Sequence, residues 1–204
     1  MVRLQRGLQP GVGDGKAISL ISVNTMLAAA TGAIAAMITV WFKYGYPDLT
    51  MTMNGALAGL VGITAPCAFV SPQAALIIGA VAGVIVVFGV LLLDKVGIDD
   101  PVGAVPVHGL NGIWGTLAVG LWGQKALGLA NDGLFSGGGI KQLGIQAIGS
   151  AACLAFVVVA MGAVFYAIKA TVGLRVSKEE ELRGLDIGEH AMESYNGFQI
   201  FTVD

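Results

Sequence analysis

The sequence predicts an all-α integral membrane protein, and three observations carry that reading. Of 204 residues, 55% are hydrophobic and only 12% charged, where a soluble domain carries about 25% charged residues. The charges are missing from four long runs, Ala17–Phe42, Leu49–Leu93, Pro101–Gln124 and Gln142–Ile168, and a bilayer is crossed by a helix of ~20 apolar residues. Glycine is abundant, at 31 residues, with no collagen-like period. Among membrane helices glycine lets backbones approach closely, because packing drives their association. The net charge of −2 comes with no basic cluster, so nucleic acid is not an expected partner. Cys67 and Cys153 lie inside apolar runs and read as small buried hydrophobes, neither disulfide framework nor metal pair.

In chain order, residues 1–17 form an N-terminal stub with three basic residues, a proline and several glycines. It resembles the start of a signal peptide, but the apolar run behind it exceeds the ~7–15 residues of a signal core, so the run is a retained span. The first helix is expected over 18–42, ended by Lys43 and the Gly45-Tyr46-Pro47-Asp48 turn. Leu49–Leu93 is too long for one span and divides at Ser71-Pro72, giving spans near 53–70 and 73–93. A fourth span follows over roughly 102–122. The segment Gly123–Ile140, containing NDGLFSGGG, reads as a flexible polar loop; it lacks the Lys-Ser/Thr that would follow in a phosphate-binding loop. The fifth span is expected over 141–168.

The membrane region therefore extends over 18–172, and 173–204 is a charged tail. In the tail, Ser177-Lys178-Glu179-Glu180 fits a capping box, so a short helix should run to about Arg183 and stop at Gly184. Five spans put the termini on opposite sides. Lys43, Lys95, Arg175, Lys178 and Arg183 fall on the tail's side, Lys125, Lys141 and the stub on the other. The positive-inside rule then favours a cytoplasmic tail.

His108 is the one histidine in an apolar stretch, and an ionisable side chain at membrane depth reads as functional by default. On a helix of 100° per residue, Pro101, Ala104, Gly112, Gly115 and Val119 fall within about 40° of it, while Pro106, Leu110, Ile113, Leu117 and Leu121 fall opposite. The histidine thus shares a face of small residues that packs on a helix or lines a narrow passage, and the bulky face meets lipid. A neutral imidazole offers one donor and one acceptor to a small polar solute. The same residue would also serve as a structural hydrogen-bonding group. Haem ligation wants a second opposed ligand, and the other histidine, His190, is in the tail. No nucleophile-plus-base set appears in the spans, so an enzyme is not expected, and neither metal nor cofactor is called for. Asp100 before Pro101 reads as an acidic cap of this helix. Asn24, Thr25, Asn54, Gln73, Asn111, Gln142, Gln146 and Ser150 read as glue between helices or as interface groups.

These residues resemble the ammonium transporter (Amt/Mep/Rh) family. The motif DDPVGAVPVHGLNGIWGTLAVGLW, the preceding VNTMLAAATGA and MTMNGALAGLVGITAPCAFVSP, and the tail KATVGLRVSKEEELRGLDIGEHAMESY carry the likeness, which covers residue 20 to the C-terminus. The resemblance implies eleven spans, built as two inverted five-span repeats plus a last long helix, in a homotrimer with one pore per subunit. It places His108 as the second of two pore histidines and makes Ala104, one turn earlier, pore-lining. Ammonium would be captured at an outer vestibule, lose a proton and cross largely as ammonia in the bacterial inner (plasma) membrane. The cytoplasmic tail, with Arg175, Asp186 and His190 as regulatory residues, would pack between subunits and meet a trimeric PII signalling protein.

The chain begins where the family's seventh span should lie, so the expectation is a C-terminal half, inactive alone, whose N-terminal half is supplied in trans if it conducts. The alternative is a non-conducting packing or regulatory subunit acting through its tail. In the tail, Ala191 and Ser194 stand where the family usually has Gly and Ala, and Gly188 replaces the threonine of plant members.

Overall fold

The computed structural model describes residues 15–194. Seven α-helices are found among them: α1 (Gly15–Tyr44), α2 (Leu49–Thr64), α3 (Pro72–Val96), α4 (Asn111–Trp122), α5 (Lys141–Thr171), α6 (Lys178–Arg183) and α7 (Leu185–His190). A turn of π-helix, Val105–Leu110, leads directly into α4. No strand occurs among the described residues. α1, α3 and α5 are each long and apolar enough to cross a membrane, and α2 is a shorter apolar helix. Residues 1–14 of the predicted stub lie outside the described residues; Gly15, Lys16 and Ala17 belong to α1. The chain divides into two compact units, Met1–Cys153 and Leu154–Asp204.

The first unit is held by small residues. α1 buries Asn24, Ala28, Gly32, Ala36 and Val40, one residue in four, which is one face of a helix. Against that face lie Gly55 and Gly59 of α2 and Gly79 and Gly83 of α3. A Cβ on Gly32 would strike the Gly55 carbonyl oxygen, and one on Gly79 or Gly59 would strike the Ala28 carbonyl oxygen. The backbones touch, as packing without a hydrophobic driving force requires. Around this seam Ile63, Ile78, Val86 and Val87 are fully buried.

The expected span 53–70 is corrected. α2 starts earlier, at Leu49, where Asp48 Oδ1 accepts from the Met51 N–H at 2.7 Å, and it ends at Thr64, so residues 65–70 are a turn. Pro66 accompanies the stop: it has no N–H to continue the ladder, while Ala65 before it keeps a helical conformation. Non-helical backbone at membrane depth is tolerated only where protein satisfies it, and here it is satisfied. Asn24 Nδ2 donates to the carbonyls of Cys67 at 2.8 Å and Val70 at 2.9 Å. The Gln124 N–H donates to the Phe69 carbonyl at 2.9 Å, and the Phe69 N–H to the Pro66 carbonyl at 2.8 Å.

The segment Gly123–Ile140 is also corrected, from flexible loop to a folded connection of two 3₁₀ turns, Lys125–Leu127 and Leu134–Ser136. Asp132 Oδ1 accepts from the Lys125 N–H at 2.7 Å, and Ser136 Oγ donates to the Trp122 carbonyl at 3.2 Å. Asn131 Nδ2 donates to Oε1 of the buried Gln142 at 3.3 Å, and the Trp122 and Phe135 rings lie 5.2 Å apart.

In the second unit the remainder of α5 presents its side chains outward. The tail helix follows the expected bounds. Ser177 caps α6, accepting from the Glu180 N–H at 3.3 Å, while Glu180 Oε2 accepts from the Ser177 N–H at 3.0 Å. α7 ends at Ala191 in the left-handed region, φ 53°.

Candidate functional site: the histidine turn

The chain from Asp99 to Trp122 does not form the single regular helix over 102–122 that its composition suggests. Asp100 starts it: Oδ1 accepts from the Ala104 N–H at 2.8 Å and Oδ2 from the Val105 N–H at 2.9 Å. Gly103 follows with φ 70°, a conformation glycine adopts without strain. Pro106 stands in the first turn of the helix, where a missing N–H costs nothing, and the Val107 N–H makes the first helical bond, to the Gly103 carbonyl at 3.1 Å. The Val102 carbonyl lies just outside the helix. Asn54 Nδ2, reaching across from α2, donates to that carbonyl at 3.1 Å. Beyond Pro106 the helix widens into the π turn, whose bonds span five residues instead of four. The Asn111 N–H points back to the Pro106 carbonyl, and Asn111 Nδ2 donates to the same oxygen at 3.0 Å.

This widening overturns the 100° wheel. Seven residues of straight helix would place Gly115 within about 20° of His108. In the structure Gly115 and Val119 are buried, Gly115 so closely that a Cβ would lie 2.5 Å from the Gly62 carbonyl oxygen, yet His108 is exposed. Pro106, expected on the lipid face, is instead fully buried and packs on Gly89 of α3. The π turn spends an extra residue, so positions before and after it fall out of phase. The outcome is one open face carrying Ala104 and His108, with Gly112 open above it, and a packed face of Pro106, Val107, Asn111, Gly115 and Ala118. Trp114 locks the packed face by donating its indole N–H to the Ile78 carbonyl at 3.0 Å.

Of the other expected site residues, none joins this turn within its own unit: Arg175, Asp186 and His190 all belong to the second unit. Arg175 pairs with Glu181 at 3.8 Å on the surface. Asp186 accepts from the N–H groups of Ile187 at 3.0 Å and Ser194 at 3.2 Å, and these bonds, led by Ser194, hold its carboxyl below the usual carboxylate range, with His190 adding a smaller charge effect. Asn54, Pro106 and Asn111 were not recognised in the sequence as shaping the turn. Among the described residues no cluster of His, Cys, Asp or Glu is arranged to hold a metal.

Glycine-packed apolar helices, with one imidazole on an open face, define the class as a helical integral membrane protein. The chain belongs to the Ammonium Transporter Family, whose sequence model matches residues 9–195. It is 45% identical over 186 residues to the ammonium transporter Amt2 of Archaeoglobus fulgidus, covering 89% of this chain and 40% of that protein. The ammonium transporter of Bacillus subtilis is 35% identical over 175 residues, with 85% of this chain and 43% of that one covered. Among solved structures, a sensor Amt protein superposes with a TM-score of 0.78 at 34% identity over 89% of this chain and 43% of its own. The Mep2 of Candida albicans superposes at 0.73, with 31% identity over 84% and 40%. The chain thus spans about 40% of the length of the curated relatives it matches.

Proposed function

We propose that this chain forms one half of an ammonium/ammonia passage, with His108 and Ala104 lining it. The supporting observation is the exposure of His108 on the open face at a turn where its neighbours Pro106 and Val107 are buried. A cation in an apolar tube is expensive, whereas ammonia is not, so the imidazole acts on a neutral solute as hydrogen-bond donor or acceptor. Potassium has no proton to shed and is excluded by the same cost. The passage is closed by the other repeat of the family fold, on whichever polypeptide carries it. The assembly we infer is the family's homotrimer in a bacterial plasma membrane, with the tail from about residue 173 cytoplasmic. There Arg175, Asp186 and His190 shape a regulatory segment that meets a trimeric PII-type partner.

The test is reconstitution in liposomes with a pH dye inside. This chain alone should show no ammonia-driven pH change. Co-reconstituted with the first-repeat half of a relative, it should conduct, and His108→Ala should reduce that flux at least tenfold. Flux from this chain alone, or co-reconstituted flux indifferent to His108→Ala, overturns the reading.

A further inference from the structure

We propose that Asn54 and Asn111 are positioning residues for His108: together they hold the π turn that keeps the imidazole on the open face. This rests on reading His108 as the group that meets the solute, and it is tested without measuring flux. The two side chains work at opposite ends of the turn. Asn54 Nδ2 donates to the Val102 carbonyl at 3.1 Å, just ahead of Gly103, and so ties the entry of the turn to α2. Asn111 puts both its backbone N–H and its Nδ2 on the Pro106 carbonyl, doubling the five-residue bond that distinguishes this turn from regular helix.

If the turn relaxed to regular helix, the geometry would move His108 into phase with Gly115, which is pressed against the Gly62 backbone. The imidazole would then be directed at α2. Asn111 is completely buried, and its Oδ1 has no hydrogen-bond partner. A buried, half-satisfied amide is costly, and what it contributes here is its donor. Asn54, by contrast, acts from another helix: its amide fixes the carbonyl that precedes Gly103, where the chain enters the turn.

The experiment uses the chain in lipid nanodiscs with His190→Gln, leaving His108 as the one histidine, and follows its ethoxycarbonylation by diethyl pyrocarbonate with mass spectrometry. Maleimide labelling of Cys67, partly buried beside α3, is the control for global loss of structure. Asn111→Leu, the same branching with no donor, should slow modification of His108 at least threefold with Cys67 labelling unchanged. Asn54→Leu should slow it too. Should Asn54→Leu fail to fold, the rate in Asn111→Leu decides the proposal. Parent-rate modification in Asn111→Leu, or in a folded Asn54→Leu, overturns it. Absence of flux in the liposome assay would leave this result standing, so the two failures are distinguishable.

Discussion

α1 and α5 are nearly the same length, 30 and 31 residues, and α5 is the more apolar. Yet α1 buries five residues and α5 only Gln142, at its first turn. The difference is where the small residues stand. In α1 Ala28, Gly32 and Ala36 recur every fourth residue and meet glycines of α2 and α3 backbone to backbone. In α5, Gly144, Gly149 and Gly162 have open space where a Cβ would project. Apolarity therefore tells that a helix belongs in the membrane, and the spacing of small residues tells which face is already used.

The same substitution should consequently have opposite signs in the two helices. Gly32→Ala drives a methyl into the Gly55 backbone, and overpacking of this kind costs about 1–3 kcal/mol. Gly162→Ala meets nothing and gains helix propensity, about 0.5–1 kcal/mol. Unfolding of each variant in mixed micelles, followed by far-UV circular dichroism, should show Gly32→Ala destabilised and Gly162→Ala unchanged or stabilised. A Gly32→Ala chain as stable as the parent would break the comparison.

The next effect belongs to α1 alone. Asn24 is fully buried and its amide satisfies two carbonyls of the turn 65–70. Asn24→Ala leaves both without donors, at about 1–3 kcal/mol each if nothing replaces them. The same unfolding assay should find it more destabilising than any single alanine substitution in α5 beyond Gln142.

What was legible in the sequence follows from the same distinction. Charge-free runs and S-x-x-E spacing are properties of a segment by itself, so the membrane class, the start of α3 and the capped α6 were readable. The turn after α2 and the entry to the His108 helix depend on groups far away in the sequence. The donor is 43 residues upstream for the Cys67 carbonyl and 48 residues upstream for that of Val102, since Asn24 and Asn54 lie in α1 and α2. A wheel drawn at a constant 100° has no place for a π turn, so it placed His108 on the face of Gly115 and Pro106 toward lipid. The folded loop 123–140 was hidden for a like reason: Asp132, Ser136 and Asn131 find their partners only once Trp122 and Gln142 are brought near.

The tail offers the smallest effects, because its helices are held by caps rather than by packing. Ala191 sits in the left-handed region, φ 53°, which strains any residue with a Cβ. Ala191→Gly should stabilise the end of α7 by about 0.5–1 kcal/mol, read as slower hydrogen exchange of the Ala191 and Met192 amides, which bond back to Ile187 and Asp186. The carboxylates set a pH limit on the same segment. The Ser177 hydroxyl, then its N–H, hold Glu180 below its ordinary 4.5, and the N–H of Ser194 chiefly holds Asp186 below its ordinary 3.8. A lowered native value means that the stabilisation is complete above the ordinary value and is lost as pH falls through the native one. Exchange in α6 and α7 should accordingly be flat from neutral pH down to about 5, after correction for intrinsic rates, and quicken below 4. In Glu180→Gln the α6 part of that acid step should vanish while the step in α7 stays, since Asp186 titrates on its own bonds.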